Sequence, residues 1–349
     1  MKEDIKLSII VSVYNVENHI SGCLKSIFRQ EINDDDFEVI IINDGTEDDS
    51  MTVVSDFVSR HHNIIIVNQK NQGSSVAWNN GISIANGEYI LIVDADDLLI
   101  EGRLKPLLEK AIETKADIIV PKFVEVDDKD LTKSKVAFLT ADHAPLSFEE
   151  TVGEELYLDL HPSQCFVWRK LYKKEFLIKN NLSFVPNIHF QDIPFTTECY
   201  LVAGKCFKAS GLLYIYRKRI VPVTYEFRFN KCCENTIAIA KTWELISRYK
   251  LTGGIKEKLH DNVFTNFTNF SIRVSLLSKD FKERESVFNT LRKNAPDLYF
   301  TNSLKQKSIS FLFWHFPVFY NCGYYYYTRI YEDKIRSLYF RLRNRISNN

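Results

Sequence analysis

Several features are missing from the 349-residue chain, and each absence removes a class of function. Its seven cysteines form an odd set with no C-x-x-C pair. No Cys/His spacing matches a zinc site, and a disulfide framework does not suit so long a chain. Buried, reduced thiols in a cytosolic protein are the expectation. Glycine and proline are sparse, 12 and 9 residues, which excludes collagen-like and low-complexity classes. Net charge is absent, with 45 Lys and Arg against 45 Asp and Glu. A generally basic nucleic-acid binder and an acidic tail protein are therefore excluded. No window reaches the ~18 apolar residues of a membrane span. Met1-Lys2-Glu3-Asp4-Ile5-Lys6 runs directly into a strand-like segment, without the pattern of a secretory leader. Neither G-x-G-x-x-G nor a P-loop occurs, so the dinucleotide and P-loop fingerprints are missing too.

What is present is a core. Hydrophobic residues make up 45% of the chain, and at ~150 residues per domain the length suggests two domains or one with an appendage. Leu7 to Tyr14, Phe37 to Ile42, Asn63 to Val67 and Tyr89 to Val93 are apolar, β-branched runs. Between them Ile20, Leu24, Ile27 and Phe28, then Val54, Phe57 and Val58, then Ala77, Gly81, Ile84 and Ala85, recur at helical spacing. Ser74 is the expected cap of the third helix. Leu104, Leu107, Leu108 and Ile112 mark a fourth helix, and Asp117 to Val120 opens a fifth strand. This alternation predicts an α/β fold, a mostly parallel sheet with helices on both faces. Further on, Asp127-Asp128-Lys129-Asp130 reads as a solvated loop and Ser147-Phe148-Glu149-Glu150 as a capping box that opens a helix. Leu212 to Arg219 reads as a strand, and helices follow from about residue 226.

Open α/β sheets bind ligands beyond the carboxyl ends of their strands. Here those ends carry Tyr14-Asn15, Asn43-Asp44-Gly45, Asn68 with Asn71-Gln72-Gly73-Ser74, and Asp94-Ala95-Asp96-Asp97. Three acids in four residues are tolerable only in water or beside a cation, and oxygen-only ligands suit Mg²⁺ or Mn²⁺. The alternative is a solvated acidic turn in which Asp97 caps the next helix. Asp44 reads either as an acceptor for a nucleobase or ribose or as ordinary turn chemistry. Free N–H groups at the helix start after Asn71 and Gly73 can meet an anion.

Val11-Ser12-Val13-Tyr14-Asn15, Asn43-Asp44-Gly45-Thr46, Asn71-Gln72-Gly73, Ala77-Trp78-Asn79, Ala85-Asn86-Gly87-Glu88-Tyr89 and Asp94-Ala95-Asp96-Asp97 stand in an order that resembles the family 2 glycosyltransferases of GT-A fold. The likeness is dense over residues 5–120, thinner to 225, and absent from the last 120 or so. It implies an inverting, metal-dependent, hexosyltransferase-type enzyme using Mn²⁺ or Mg²⁺ and a nucleotide-sugar donor, often UDP-linked. It implies a catalytic domain over 1–225, with a nucleotide-binding half (1–120) and an acceptor half (121–225), followed by a helical region over 226–349. By the same resemblance Val13, Tyr14 and Asp44 hold the nucleobase, Asp94 the ribose or sugar side, and Asp96 the metal of the D-x-D motif. Asn71 and Gly73 join the donor site, and Arg217 and Arg219 lie on a strand that steadies the diphosphate. Trp168, Tyr172 and Gln191 line the acceptor site, and Asp192 is the base that deprotonates the acceptor hydroxyl. An N-cap role is the plain alternative for Asp192. Three places depart from the family pattern: Trp78 stands where arginine is common, Pro222-Val223-Thr224 where Ser-Ile-Thr or similar is common, and Gln191 replaces an acid.

The implied acceptor is a saccharide or lipid-linked saccharide, in cell-surface polysaccharide biosynthesis. A non-catalytic carbohydrate-binding or scaffold protein on a degenerate transferase fold is the alternative, and a sugar-nucleotide pyrophosphorylase a more distant one. Residues 301–349 hold eight basic and two acidic residues, so the rest of the chain is acidic to the same extent. Aromatics crowd the same segment, from Phe311 to Tyr320 and from Tyr324 to Tyr327. The mixture suits either a lipid headgroup region or an aromatic helical layer packed on the catalytic domain. The expected location is cytoplasmic, extending to the inner face of the plasma membrane if the first reading holds.

Overall fold

A computed structural model describes residues 5–131, 145–159, 165–218 and 229–330. The chain divides into two compact units, one of residues 1–159, 166–187 and 199–222, the other of 160–165, 188–198 and 223–349. The division is not continuous in sequence: residues 188–198 group with the later helices.

The first unit is built on strands β1 (Leu7–Val13), β2 (Phe37–Asn43), β3 (Ile64–Asn68), β4 (Tyr89–Asp94), β5 (Leu98–Leu99), β6 (Ile118–Asp127), β7 (Phe148–Thr151), β8 (Leu171–Lys173) and β9 (Cys206–Lys218). They run in the order β3-β2-β1-β4-β8-β6-β9-β5, with β7 also on β9. The first four are parallel, as the alternation requires. The long β6–β9 pair is parallel as well, so the sheet is mostly parallel as expected, with short β8 antiparallel to both neighbours and β5 and β7 antiparallel to β9. Helices α1 (Ile20–Ile27), α2 (Ser50–Val58), α3 (Ser74–Ile84) and α4 (Leu104–Thr114) connect the parallel strands. Their apolar stripes, such as Leu104, Leu107, Leu108 and Ala111, pack on a core with Leu7, Ile9, Val11, Leu91 and Val93. Edge strand β3 differs from the others in leaving Ile65 and Ile66 exposed.

One polar group sits inside this core. Ser8 on β1 donates to Glu38 Oε1 at 2.6 Å and accepts from the Gly87 N–H at 2.8 Å. Glu38 also takes the Asn86 N–H at 2.6 Å. A Cβ on Gly87 would lie 2.4 Å from the Ser8 nitrogen, so the Asn86-Gly87 turn is a close-approach device.

Three local expectations are corrected. Gly73, at φ 81°, occupies the N-cap of α3 and Ser74 is the first helical residue. Phe148–Thr151 extends as β7 beside β9 rather than opening a helix; that helix, α5 (Gly153–Asp159), starts later. Residues Asp128–Asp130 form a 3-10 turn, and Asp128 is ion-paired rather than merely solvated. A short helix α6 (Lys174–Lys179) follows β8, and α7 spans Asp192–Val202.

The second unit contains α8 (Asn230–Arg248), α9 (Gly253–Leu277), α10 (Phe281–Asn294), α11 (Leu304–His315) and α12 (Pro317–Ile330). Phe267, Phe270, Phe288, Phe300, Phe313 and Tyr320 form its buried aromatic centre. Asp280 caps α10 by accepting the Glu283 N–H, and Ser303 caps α11 by accepting that of Gln306.

Candidate active site

Register puts the polar strand ends in one row. Val13 lies opposite Asn43, Asn43 opposite Asn68, and Ser12 opposite Asp94. Each loop leaving that row is then fixed by side chains from its neighbours.

The loops after β1 and β2 are tied together through Asp48. Its carboxylate accepts from the Glu17 N–H at 2.9 Å, the Thr46 hydroxyl at 2.8 Å and the Ser50 hydroxyl at 2.5 Å. Thr46 accepts from the Asn15 N–H at 2.8 Å and Ser50 from that of Val16 at 3.0 Å. Partial burial pulls the Asp48 pKa upward, but these donors prevail and hold it at about 2. Asp44 does the same for the loop after β3. It accepts from Gln69 Nε2 at 2.7 Å and from the N–H groups of Gln72 at 2.8 Å and Gly73 at 2.9 Å. The buried Asp44 thus holds Asn71 and Gly73 on the surface beside it. Tyr14 is 45% exposed at the same edge, whereas the Val13 side chain is buried and offers its carbonyl to the Asp44 N–H.

The acidic turn after β4 is anchored from β9. The Tyr214 hydroxyl accepts from the Asp94 N–H at 3.1 Å. Arg217 donates its backbone N–H to Asp97 Oδ1, its Nε to the Asp96 carbonyl and its Nη1 to Asp128 Oδ1, each at 2.7 Å. Asp97 is buried, and its second oxygen has no partner. Burial first, then the charges of Asp96 and Asp94, push its pKa well above the usual carboxylate value. The same three acids, after burial, raise the Cys23 thiol, whose Sγ lies 3.7 Å from the Asp94 carbonyl. The turn therefore concentrates negative potential, with Asp94 and Asp96 partly exposed and Asp97 beneath them.

Two candidates for acceptor contact belong to the core. Trp168 is buried in a stack with Tyr214 at 4.3 Å, Phe166 at 4.8 Å and Tyr216 at 5.6 Å between ring centroids. Tyr172 is fully buried on β8. Trp168 stacks on the β9 tyrosines, and Tyr172 lies in the sheet between β4 and β6. Trp78, at the position that departs from the family pattern, is also buried, with its ring 5.0 Å from that of Phe184. Arg217 is engaged by the acidic turn, and Arg219 lies outside the described residues.

Gln191 and Asp192 fall in the second unit. Both are half-buried, and Asp192 is the first residue of α7. The segment is held locally by Ile193 N–H to Phe190 O at 3.1 Å, with the Arg273 guanidinium 5.1 Å from the Phe190 ring centre. His189 faces Glu234 at 3.6 Å, and burial followed by Lys231 lowers its pKa despite that acid.

The Asp48 tie, the Asp97 underlayer and the Asp128–Arg217 brace were not legible as site features. Each is a long-range pairing; the only hint in sequence was an excess of acids over what a turn or a helix start requires.

The comparisons agree with this geometry. The chain is 34% identical over 215 residues to the uncharacterized glycosyltransferase EpsJ of Bacillus subtilis, covering 61% of either chain. It is 28% identical over 215 residues to the poly(ribitol-phosphate) beta-glucosyltransferase of Bacillus spizizenii, covering 61% of this chain and 32% of that one. The match thus spans about three fifths of EpsJ and a third of the other relative. Among solved structures, S. aureus TarS 1–349 superposes with a TM-score of 0.70 at 18% identity, covering 95% of this chain and 92% of that one. The same protein in complex with UDP-GlcNAc gives 0.57 at 19%, covering 84% and 89%. These likenesses establish the GT-A fold. Residues 8–176, just under half of the chain, match the model of glycosyl transferase family 2, and that segment is a domain of this family.

Proposed function

We propose that the protein is an inverting glycosyltransferase that moves a sugar from a UDP-linked donor to a hydroxyl of a saccharide or lipid-linked saccharide in cell-surface polysaccharide synthesis. The observation that carries this reading is the row of strand ends, where the Asp44-held loop and the Asp94-Ala95-Asp96 turn stand at one sheet edge. A nucleotide lying along that edge meets Tyr14 and Asn71 at one end and the acidic turn at the other; the N–H groups of Gln72 and Gly73, expected to be free for an anion, are taken by Asp44. The UDP-GlcNAc complex of TarS supports a UDP-linked donor, and the name of the poly(ribitol-phosphate) relative supports a polymer acceptor.

A divalent cation fits the donor set. Among the described residues no three His, Cys, Asp or Glu side chains are grouped to hold a metal alone. Mg²⁺ and Mn²⁺ are held instead by one or two carboxylates together with substrate phosphates. Asp96, partly exposed beside Asp94 on the same turn, is suited to that role. When bound, the ion would supply charge stabilisation for the departing nucleotide diphosphate. Arg217 and Tyr214 fix the backbone of the turn, so that Asp96 and Asp94 present their carboxylates without reorganisation. Asp192 would accept the proton of the incoming hydroxyl as its oxygen attacks the anomeric carbon opposite the diphosphate.

The test is a panel of nucleotide sugars with Mn²⁺ and Mg²⁺ and saccharide acceptors, reading nucleotide release. Turnover restricted to UDP sugars, dependent on the ion and abolished by Asp96→Ala, is the expected result. Donor binding without turnover against every acceptor would favour the scaffold reading instead.

A further inference from the structure

We propose that the outward face of α12 and the corner joining it to α11 dock this protein on the surface of an anionic bilayer. A surface helix ordinarily turns its apolar stripe inward and its polar residues to water. α12 has apolar residues on both sides. Tyr320, Asn321 and Thr328 are buried, and the Tyr320 ring lies 5.1 Å from Phe313 and 5.3 Å from Phe288. The opposite side carries Phe319, Tyr326 and Ile330, which are 71%, 64% and 74% exposed. With Gly323 they follow helical spacing, so they form one outward stripe. Arg329 is the only charged residue of the helix.

The patch continues around the corner. The ring of Phe316 is 5.6 Å from that of Phe311 and 6.1 Å from that of Phe319, and all three are exposed. Val318 is exposed beside them, and Leu304 with Lys305 and Lys307 is exposed at the start of α11. An apolar surface of this size on one helix pair marks an interaction site.

Charge selects the occupant. Residues 301–349 hold eight bases and two acids, and five of those bases follow α12 in the sequence. Lys305 and Lys307 at the start of α11 and Arg329 on α12 already make the described face positive, which a second copy of the same face would repel. An anionic lipid surface instead attracts them while it receives the aromatic side chains. No helix among the described residues is long and apolar enough to cross a membrane, so the contact is one of lying on the surface. The proposal is independent of donor and acceptor identity.

The experiment is flotation of the full chain with vesicles of phosphatidylcholine alone and of phosphatidylcholine with phosphatidylglycerol, at low and high salt. The full chain is expected to float with the anionic vesicles at low salt and to stay below with the neutral ones. Phe319→Ser with Ile330→Ser should lower partition about tenfold or more, by removing two large apolar side chains from the contact. Both residues are exposed, so the thermal midpoint should not move. Arg341→Gln, Arg343→Gln and Arg345→Gln together should weaken binding to anionic vesicles and leave the neutral control unchanged. A full chain that stays below with anionic vesicles overturns the proposal. So does equal flotation after the Phe319 and Ile330 changes, or a dimer in light scattering that those changes dissolve.

Discussion

Asp192→Asn preserves the size and helix-opening position of the side chain while removing its capacity to take a proton. Turnover should fall by about 10²- to 10⁴-fold, while calorimetry finds the affinity for UDP and the ion unchanged. Near wild-type turnover would reassign Asp192 to the helix-capping role. Asp96→Ala should lose activity and, with it, the response of UDP binding to added Mn²⁺. Asp48 makes a different kind of prediction, one about stability. Its folded pKa of about 2 lies below the ordinary 3.8, so the unfolded chain binds the proton more readily. Its contribution is therefore complete above about pH 4 and is lost as pH falls toward 2. Asp48→Asn should be less stable than wild type in urea at pH 6, and the gap should close in acid. These residues were legible in sequence to different degrees. Asp44, Asp94 and Asp96 announced themselves as polar residues on apolar strands; Asp48 looked like helix-end charge, because its partners come from another loop.

At the scale of elements, the start of α3 rests on one glycine. Gly73 has φ 81° and ψ 165°, a region closed to side chains, yet an added Cβ would meet nothing within 4 Å. Gly73→Ala should therefore cost about 1–3 kcal/mol of backbone strain, read by urea denaturation, and weaken UDP binding by shifting the N–H that Asp44 holds. β9 supplies the second case. Asp128→Ala leaves the partly buried Arg217 guanidinium without its carboxylate. A loss of about 1.5–3 kcal/mol is expected for a charged hydrogen bond, together with weaker ion dependence, since Arg217 also holds the Asp96 carbonyl. The parallel strands and their helices were legible because periodicity reports burial directly. Phe148–Thr151 was misread because a capping pattern and an edge strand share polar residues, and only pairing with β9 decides between them. Trp168 and Tyr172 stood in a segment that resembles an acceptor site, but their neighbours across the sheet make them core.

At the scale of the whole molecule, the family resemblance and the parallel strands with their helices could be read from about a third of the sequence, whereas the second unit could be read only as helical. Its centre of Phe267, Phe288, Phe313 and Tyr320 arises from contacts among helices whose individual patterns carry little direction. The brace on the acidic turn has a consequence for the order of assembly. β1 to β4 and their helices are contiguous in sequence and can form while the chain is still being made. The groups that fix Asp94, Asp96 and Asp97 arrive about 120 residues later, on β9. Until Tyr214 and Arg217 take their places, three like charges crowd a turn held only by its Asp97 N–H to Asp94 carbonyl bond and by β1. Pulse-labelled hydrogen exchange during refolding should therefore find amides of β1 and β2 protected before that of Asp94, so that the acidic turn takes its final shape only after the last strand has closed the sheet.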